Sequence, residues 1–360
     1  MFSSDDRRFM TRALELAARG LYTTTPNPRV GCVIVREGRV VGEGWHERAG
    51  APHAEVNALA AAGAAARGAT AYVSLEPCAH HGRTPPCAAA LVEAGAARVV
   101  AALRDPNPEV AGRGFAILEA AGVRAEWGLL EDEARELNIG FVSRMTRGRP
   151  WLRMKIAASL DGKTALLNGR SRWITGPEAR RDGHHWRARA CAVLTGVGTV
   201  KDDDPQLTVR DVDTTRQPLR VVVDSRLETP PAARVLGVGV LIAAAMADRD
   251  KAQRLEACGA EIIVLPNAAG KVDLGALMDE LGRREVNELH IEAGHKLNGS
   301  LLRERLVDEL LLYLAPSILG DAARGMFDLP ALEELDGRCT LETREVRMIG
   351  PDVRLIARPI

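Results

Sequence analysis

Short apolar runs alternate with helical stretches along almost the whole chain, and this alternation is the strongest constraint on its fold. Residues 5–19 place Phe9, Met10, Ala13, Leu14 and Ala17 at helical spacing, with Gly20 where a helix-ending glycine is expected. Residues 30–35 and 40–45 flank Glu37-Gly38-Arg39, the pattern of a hairpin. Helix and strand candidates then take turns: helix 53–66, strand 69–75, helix 87–94, strand 98–103, helix 108–121, strand 123–127 and helix 131–147. Such an order predicts an α/β layered unit whose sheet is largely parallel beyond the hairpin.

Arg147-Gly148-Arg149-Pro150 is charged and carries two helix breakers, so a domain boundary is expected there, with units 1–147 and 148–360. A second α/β series follows. Its strand candidates are 151–157, 192–197, 219–224, 239–244, 261–265, 289–292, 309–314, 341–348 and 353–357, and its helix candidates are 177–189, 247–258, 274–284 and 298–306. The last three strands have no helix between them, so the sheet should end in an antiparallel section. A length of 360 residues also favours two domains, at roughly 150 residues each.

Composition removes several function classes. Lys+Arg and Asp+Glu number 48 each, so the basic excess of a nucleic-acid-binding protein is absent. No apolar stretch of about 18 residues occurs, and Met1–Arg8 contains no apolar signal core. Six cysteines are too sparse for a disulfide scaffold. A cytoplasmic protein with reduced thiols, binding neither nucleic acid nor membrane, is expected.

Two of those cysteines fall in a chemical pattern. His53-Ala54-Glu55 opens a helix, Pro77-Cys78 ends a strand, and Cys87 opens the next helix. This is the His-x-Glu, Pro-Cys, Cys arrangement of zinc-dependent deaminases. One imidazole and two thiolates hold Zn²⁺ and leave a fourth position for water, whose pKa the metal lowers. Glu55 is placed to move the water's proton without ligating the metal. The spacer between the cysteines is eight residues, longer than the common Cys-x-x-Cys. His80 and His81 in that spacer are rival ligands; Cys78 and Cys87 are favoured because they flank the loop at element ends. His80, His81 and Arg83 then suit substrate contact or a solvated loop.

The stretch Leu75-Glu76-Pro77-Cys78-Ala79-His80-His81-Gly82-Arg83-Thr84-Pro85-Pro86-Cys87 resembles the deaminase domain of the bifunctional deaminase-reductase family of riboflavin biosynthesis. Pro26-Asn27-Pro28-Arg29-Val30-Gly31, Gly44-Trp45-His46 and Pro52-His53-Ala54-Glu55-Val56 match as well. The resemblance implies a cytidine-deaminase-like three-layer domain. Its expected substrate is a phosphorylated ribosylaminopyrimidine, the diaminopyrimidinone ribosyl phosphate made from GTP. By the same analogy Asn27 helps seat the pyrimidine, against the alternative of a plain turn residue between prolines.

Later segments resemble the reductase domain of the same family, in order. They are Lys155–Lys163, Ser171–Thr175, Thr195–Val200, Asp202–Arg210, Val223–Ser225 and Glu292–Ser300. That resemblance implies a dihydrofolate-reductase-like α/β domain that uses NADPH. Ala157, Trp173, Thr199, Asp203, Ser225 and Gly294, His295, Lys296, Leu297, Asn298, Gly299 and Ser300 are expected at the cofactor. Ser171, Arg187, Leu207, Arg210 and Glu292 are expected at the substrate. Arg187 and Arg210 can clamp a phosphate bidentately. Trp173 is otherwise a core residue, and Asp203 a helix cap. His295-Lys296 departs from the small or neutral pair expected there. Cys32, Cys191, Cys258 and Cys339 read as packing residues, and His184-His185 as a solvated helix face. The family tends to assemble through its reductase domains, so a homo-oligomer is expected.

The leading expectation is a two-step enzyme: zinc-dependent deamination, then NADPH-dependent reduction of the ribosyl group to ribityl. The alternatives are a deaminase of another base fused to an unrelated reductase, and a non-catalytic zinc-stabilised interaction protein. A closed structural zinc site has no use for Glu55.

Overall fold

The computed structural model describes residues 1–79, 86–108 and 110–360. Its backbone divides into two compact units, Met1–Gly148 and Arg149–Ile360. Among the described residues, no helix is long and apolar enough to cross a membrane.

The first unit runs α1 (Ser4–Ala18), β1 (Gly31–Arg36), β2 (Arg39–Trp45), α2 (Ala54–Ala62), β3 (Thr70–Leu75), α3 (Cys87–Glu93), β4 (Arg98–Leu103), α4 (Arg113–Ala120), β5 (Arg124–Trp127), α5 (Glu131–Leu137) and α6 (Ile139–Arg147). Its strands lie in the order β2-β1-β3-β4-β5. The hairpin and the β1–β3 pair are antiparallel; β3–β4 and β4–β5 are parallel. Glu37 and Gly38 both take positive φ, as a tight two-residue hairpin turn demands. Alternate strand residues feed two opposite cores. Cys32, Ile34, Val99 and Ala101 pack with Ala54, Ala58, Leu91 and Leu118. Val33, Val35, Val100 and Ala102 pack with Phe9, Met10, Ala134 and Val142. The strands are therefore apolar on both faces, as a sheet covered by helices on both sides must be.

Two glycines set the spacing between α2 and the sheet. A Cβ added at Gly42 would stand 2.2 Å from the carbonyl oxygen of Ala58, and one at Gly44 would stand 2.5 Å from that of Ala54. The helix backbone thus rests directly on β2, and apart from Glu55 the buried residues of α2 are alanine: Ala54, Ala58 and Ala62.

Three helix expectations are corrected. Residues 131–147 form two helices, because Asn138 interrupts the ladder. Its side chain accepts the Arg29 N–H at 2.8 Å and donates to the Arg29 carbonyl at 2.9 Å, replacing a strand partner. The helix expected over 108–121 starts only at Arg113, because Gly112 is left-handed (φ 82°) and its N–H is taken by Glu76. Gly20 does not adopt positive φ; it is needed small, since a Cβ there would meet Thr24 and the His46 carbonyl.

The second unit contains β6 (Trp151–Ser159), β7 (Lys163–Ala165), α7 (Pro177–Arg189), β8 (Ala192–Gly196), α8 (Val197–Asp203), β9 (Leu219–Val223), β10 (Val240–Ala244), α9 (Arg249–Ala257), β11 (Ala260–Val264), α10 (Leu274–Arg283), β12 (Glu288–Ile291), α11 (His295–Arg303), β13 (Glu309–Ala315), β14 (Arg324–Gly325), β15 (Leu341–Ile349) and β16 (Asp352–Pro359). Nine strands form one sheet, β11-β10-β9-β8-β12-β6-β13-β16-β15. The pairs from β11 to β13 are parallel, and β16 and β15 close the sheet antiparallel, as the absence of intervening helices required. At its middle, buried Arg153 of β6 bridges Glu288 of β12 at 2.9 Å and Glu309 of β13 at 2.5 Å. Helix α8 and the small β7–β14 sheet were not among the sequence expectations. Helix α11 begins at His295, not Asn298. Asn298 is buried and donates to the Met326 carbonyl at 3.2 Å, and a Cβ at Gly299 would stand 2.1 Å from the Asp328 carbonyl. These residues face the interior from inside the helix.

The contact at Gly44 yields a prediction. Gly44→Val should lift α2 from the sheet and destabilise the first unit by about 1–3 kcal/mol, the usual cost of overpacking. Amide hydrogen exchange across residues 54–62 should accelerate. Unchanged exchange together with an unchanged unfolding midpoint would reject this account.

Candidate active sites

The first site forms where element ends converge. His53 precedes α2 with extended backbone (φ −72°, ψ 163°), and Cys87 is the first residue of α3. Cys78 lies just beyond β3. The ligand atoms of His53, Cys78 and Cys87 all fall within 4.8 Å of one another. Nδ1 of His53 is 3.3 Å from Sγ of Cys87 and 3.6 Å from Sγ of Cys78. The backbone N–H of Cys87 donates to Sγ of Cys78 at 3.3 Å. Hydrogen bonding from the Cys87 thiol, with help from His53 and that N–H, holds the Cys78 thiol well below its usual range. Two sulfurs and one imidazole at a single point suit zinc and leave one tetrahedral position open.

Glu55 lies in the first turn of α2 and is 3% exposed. Burial pushes its carboxyl up to about 7. A carboxyl poised there can both take up and return a proton. Nδ2 of Asn27 is 3.1 Å from Nε2 of His46, whose Nδ1 is 3.1 Å from the Pro52 carbonyl oxygen. A proton on Nδ1 satisfies Pro52 and leaves Nε2 to accept from the Asn27 amide. The His46 ring meets that of His53 edge-on at 5.4 Å. Asn27 is thus hydrogen-bonded to His46, whose ring lies against that of His53.

Sequence reasoning gave His46 no role, although Gly44-Trp45-His46 marked it at the end of β2. Glu76 was missed as well. This buried carboxylate accepts the N–H groups of Asp105 (3.1 Å), Gly112 (3.0 Å) and Gly114 (3.0 Å), pinning the segment that leads into Cys78. Its signal was a charge inside an apolar strand end. His80, His81 and Arg83 lie outside the described residues.

The second site is a cavity of about 650 Å³ in the second unit. Ala157, Ser171, Trp173, Thr199, Asp203, Gly294 and His295 line it, as do Arg187, Leu207, Arg210 and Glu292. Lys296 and Leu297 border an adjoining depression together with Thr199, Gly294 and His295. Four expected residues lie elsewhere. Ser225 Oγ accepts the Val272 N–H at 3.2 Å, and Asn298, Gly299 and Ser300 belong to the body of α11. The free N–H groups of the α11 terminus are therefore those following Gly294, and that end suits an anion.

Trp173 is 71% exposed, which excludes the core alternative, and Arg180 stacks 4.5 Å from its ring centre. Asp203 ends α8 and accepts from Ser171 Oγ at 3.4 Å. His184, expected on a solvated face, is buried; its Nδ1 accepts the Arg210 N–H at 3.3 Å. Cys339, expected to pack, is exposed.

At the floor, Arg187 grips both oxygens of Glu292: Nη2 donates to Oε2 at 2.8 Å and Nε donates to Oε1. Burial alone would raise the Glu292 carboxyl. Arg187 and the nearby Lys155 outweigh it and hold Glu292 well below the usual range. Lys155 Nζ lies 3.9 Å from Oε2, and burial pushes the ammonium's pKa down. Lys155 had appeared only as the start of a strand motif.

Comparisons with known proteins divide the chain in the same way. Residues 3–103 match the cytidine and deoxycytidylate deaminase zinc-binding region, and residues 150–355 match the RibD C-terminal domain. Riboflavin biosynthesis protein RibD of Escherichia coli K12 is 49% identical over 362 residues, covering 97% of this chain and 98% of that one. The Haemophilus influenzae protein of the same name is 47% identical, covering 99% and 98%. The solved Acinetobacter baumannii RibD (form 1) superposes with a TM-score of 0.92 at 44% identity, covering 99% of both chains. A Thermotoga maritima diaminohydroxyphosphoribosylaminopyrimidine deaminase/5-amino-6-(5-phosphoribosylamino)uracil reductase superposes with a TM-score of 0.88 at 32% identity, again over 99% of both. The first unit is cytidine-deaminase-like and the second carries the dihydrofolate-reductase-like RibD fold. The chain belongs to the RibD family of bifunctional riboflavin-biosynthesis deaminase-reductases.

Proposed function

We propose that residues 1–147 deaminate the diaminopyrimidinone ribosyl phosphate and that residues 148–360 then reduce 5-amino-6-(5-phosphoribosylamino)uracil at its ribosyl group. The observation that carries this reading is the meeting of His53, Cys78 and Cys87 beside the buried carboxyl of Glu55. The first two steps of chemistry need different protein groups, and each unit supplies its own.

In the first unit His53, Cys78 and Cys87 would hold zinc, which when bound supplies the Lewis acidity that makes water a nucleophile near neutral pH. Glu55 takes up the attacking water's two protons in turn, passing the first to the ring nitrogen and the second to the departing amino group. The balance is one water consumed, one exocyclic C–NH2 bond broken, one C=O formed and one ammonia released. Asn27, oriented by His46, hydrogen-bonds the pyrimidine edge. His80 and Arg83 belong to the same proposal as substrate contacts.

In the second unit NADPH, when bound, supplies the reducing equivalents. Thr199 and the α11 terminus at Gly294–Leu297 would receive its phosphates, and Trp173 and Ala157 would line its ring. Glu292, fixed by Arg187, accepts hydrogen bonds from the sugar hydroxyls. Asp203 and Lys155, among the titratable groups lining the cavity, would deliver the proton that completes reduction. Ser171, Leu207 and Arg210 complete the substrate wall. Self-assembly through this unit is part of the same reading, supported by exposed Val346 and Met348 on edge strand β15. A cytoplasmic setting fits six unpaired cysteines.

Incubation with the diaminopyrimidinone phosphate, with and without NADPH, followed by mass spectrometry, separates the two steps. Exchange of one amino group for oxygen should occur without NADPH, and gain of two hydrogens only with it. Absence of the first product would sink the deaminase assignment. Glu55→Gln should lower deamination roughly 10²–10⁴-fold, the usual worth of a general acid–base, while zinc content stays at wild-type level. Removing zinc with a chelator should stop deamination and leave NADPH oxidation on the pre-deaminated compound intact. Loss of both activities together would refute the separation of sites.

A further inference from the structure

The substrate named above carries a phosphoryl dianion, and the cavity must meet that charge. Arg187 was expected to do so. Its fork is already committed, with Nε and Nη2 on Glu292 and Nη1 donating to the Thr208 carbonyl at 3.1 Å. A guanidinium neutralised by a buried carboxylate offers a dianion little net charge.

The other arginines of the wall are not equivalent. Arg172 lies 3.6 Å from Asp203, and Arg324 lies 3.8 Å from Asp202. Arg180 donates to the Thr175 carbonyl at 2.8 Å and stacks on Trp173. Like Arg180, two more have no carboxylate partner, and neither of these two is covered by a ring. Arg210 has only neutral side-chain partners, Gln206 Oε1 at 3.0 Å and Thr208 Oγ1 at 3.2 Å. Arg234 has no side-chain partner among the described residues. Its backbone is nevertheless fixed: the N–H donates to Asp204 Oδ1 at 2.8 Å, and Ala233 and Val235 on either side are buried. Arg234 and Arg210 are thus tied to the same short segment, Asp204–Gln206, and both line the cavity.

We propose that Arg234 joins Arg210 in holding the substrate's phosphoryl group, and that Arg187 acts instead as the fixed counter-ion of Glu292. The inference rests on the reductase reading of this cavity. Two guanidiniums from separate backbone segments can present parallel N–H pairs to different phosphoryl oxygens, and neither has to give up an existing ion pair. Arg234 would then be a specificity residue: it favours phosphorylated over dephosphorylated substrate and does not take part in reduction itself.

The test compares 5-amino-6-(5-phosphoribosylamino)uracil with its dephosphorylated ribosylamino counterpart, using the full chain and NADPH. Arg234→Gln should raise KM for the phosphorylated compound at least tenfold and leave kcat nearly unchanged. It should leave kcat/KM for the dephosphorylated compound and KM for NADPH at wild-type values. Arg234→Lys should recover part of the loss, since a point cation still attracts the dianion. Because Arg234 is exposed, folding is not at risk, and equal unfolding midpoints check this. Equal losses on both compounds, a raised KM for NADPH, or no change at all would each overturn the proposal. A raised KM for NADPH would assign Arg234 to a cofactor phosphate. Failure of the unaltered chain to reduce either compound would overturn the reductase reading itself.

Discussion

The backbone-to-backbone contact of α2 with β2 is the constraint on which the first site depends. His53 and Glu55 sit at the N-terminus of that helix, so their distance from Cys78 and Cys87 is set by how deeply the helix lies on the sheet. Glycine at 42 and 44 and alanine at 54, 58 and 62 bring the two backbones together without side chains between them. A Cβ at either glycine would stand 2.2–2.5 Å from a helix carbonyl oxygen, so any larger residue would force the helix off the sheet. The zinc donors are therefore placed by what the sheet lacks. Glu76 does the complementary task on the other side, by gathering three N–H groups around the segment leading into Cys78.

The two units solve the same architectural problem in the same way. Each places its chemistry beyond the C-terminal ends of parallel strands, where helices begin and N–H groups point outward. In the first unit the next element is the short helix α3, with Cys87 as its first residue. In the second it is α8 after β8 and α11 after β12, which bring Thr199, Asp203 and Gly294 to one cavity. Buried Arg153 ties together β12, β6 and β13, neighbouring strands at the middle of the sheet, and Glu292 follows directly after β12.

What was legible in the chain was chemistry that restricts residue type. Few side chains bind zinc, so His53, Cys78 and Cys87 were favoured from their element ends over the rival His80 and His81, and the family resemblance accounted for the long spacer. Helix α7 was likewise readable to its last residue, because Pro177 starts it. Pairings across long separations were not legible. Arg187 and Glu292 are 105 residues apart, and nothing local in either segment announces that one consumes the other. The Asn138 break was hidden for a similar reason: the apolar period continues through it, while the side chain that breaks the helix finds its partner at Arg29. Residues 298–300 were read as helical, but the helix starts at His295, so they lie inside it, where Gly299 is small in order to pass Asp328.

On the proposed reading of the cavity, the Arg187–Glu292 pair bears on turnover as well as on binding. A pocket that relied on its ligands to neutralise a buried carboxylate would hold a bare charge each time it emptied, and product departure would carry that penalty. Here the floor carries its own counter-charge, so its electrostatic state is the same before substrate arrives and after product leaves. On that reading the cycle runs without repeatedly charging and discharging the interior.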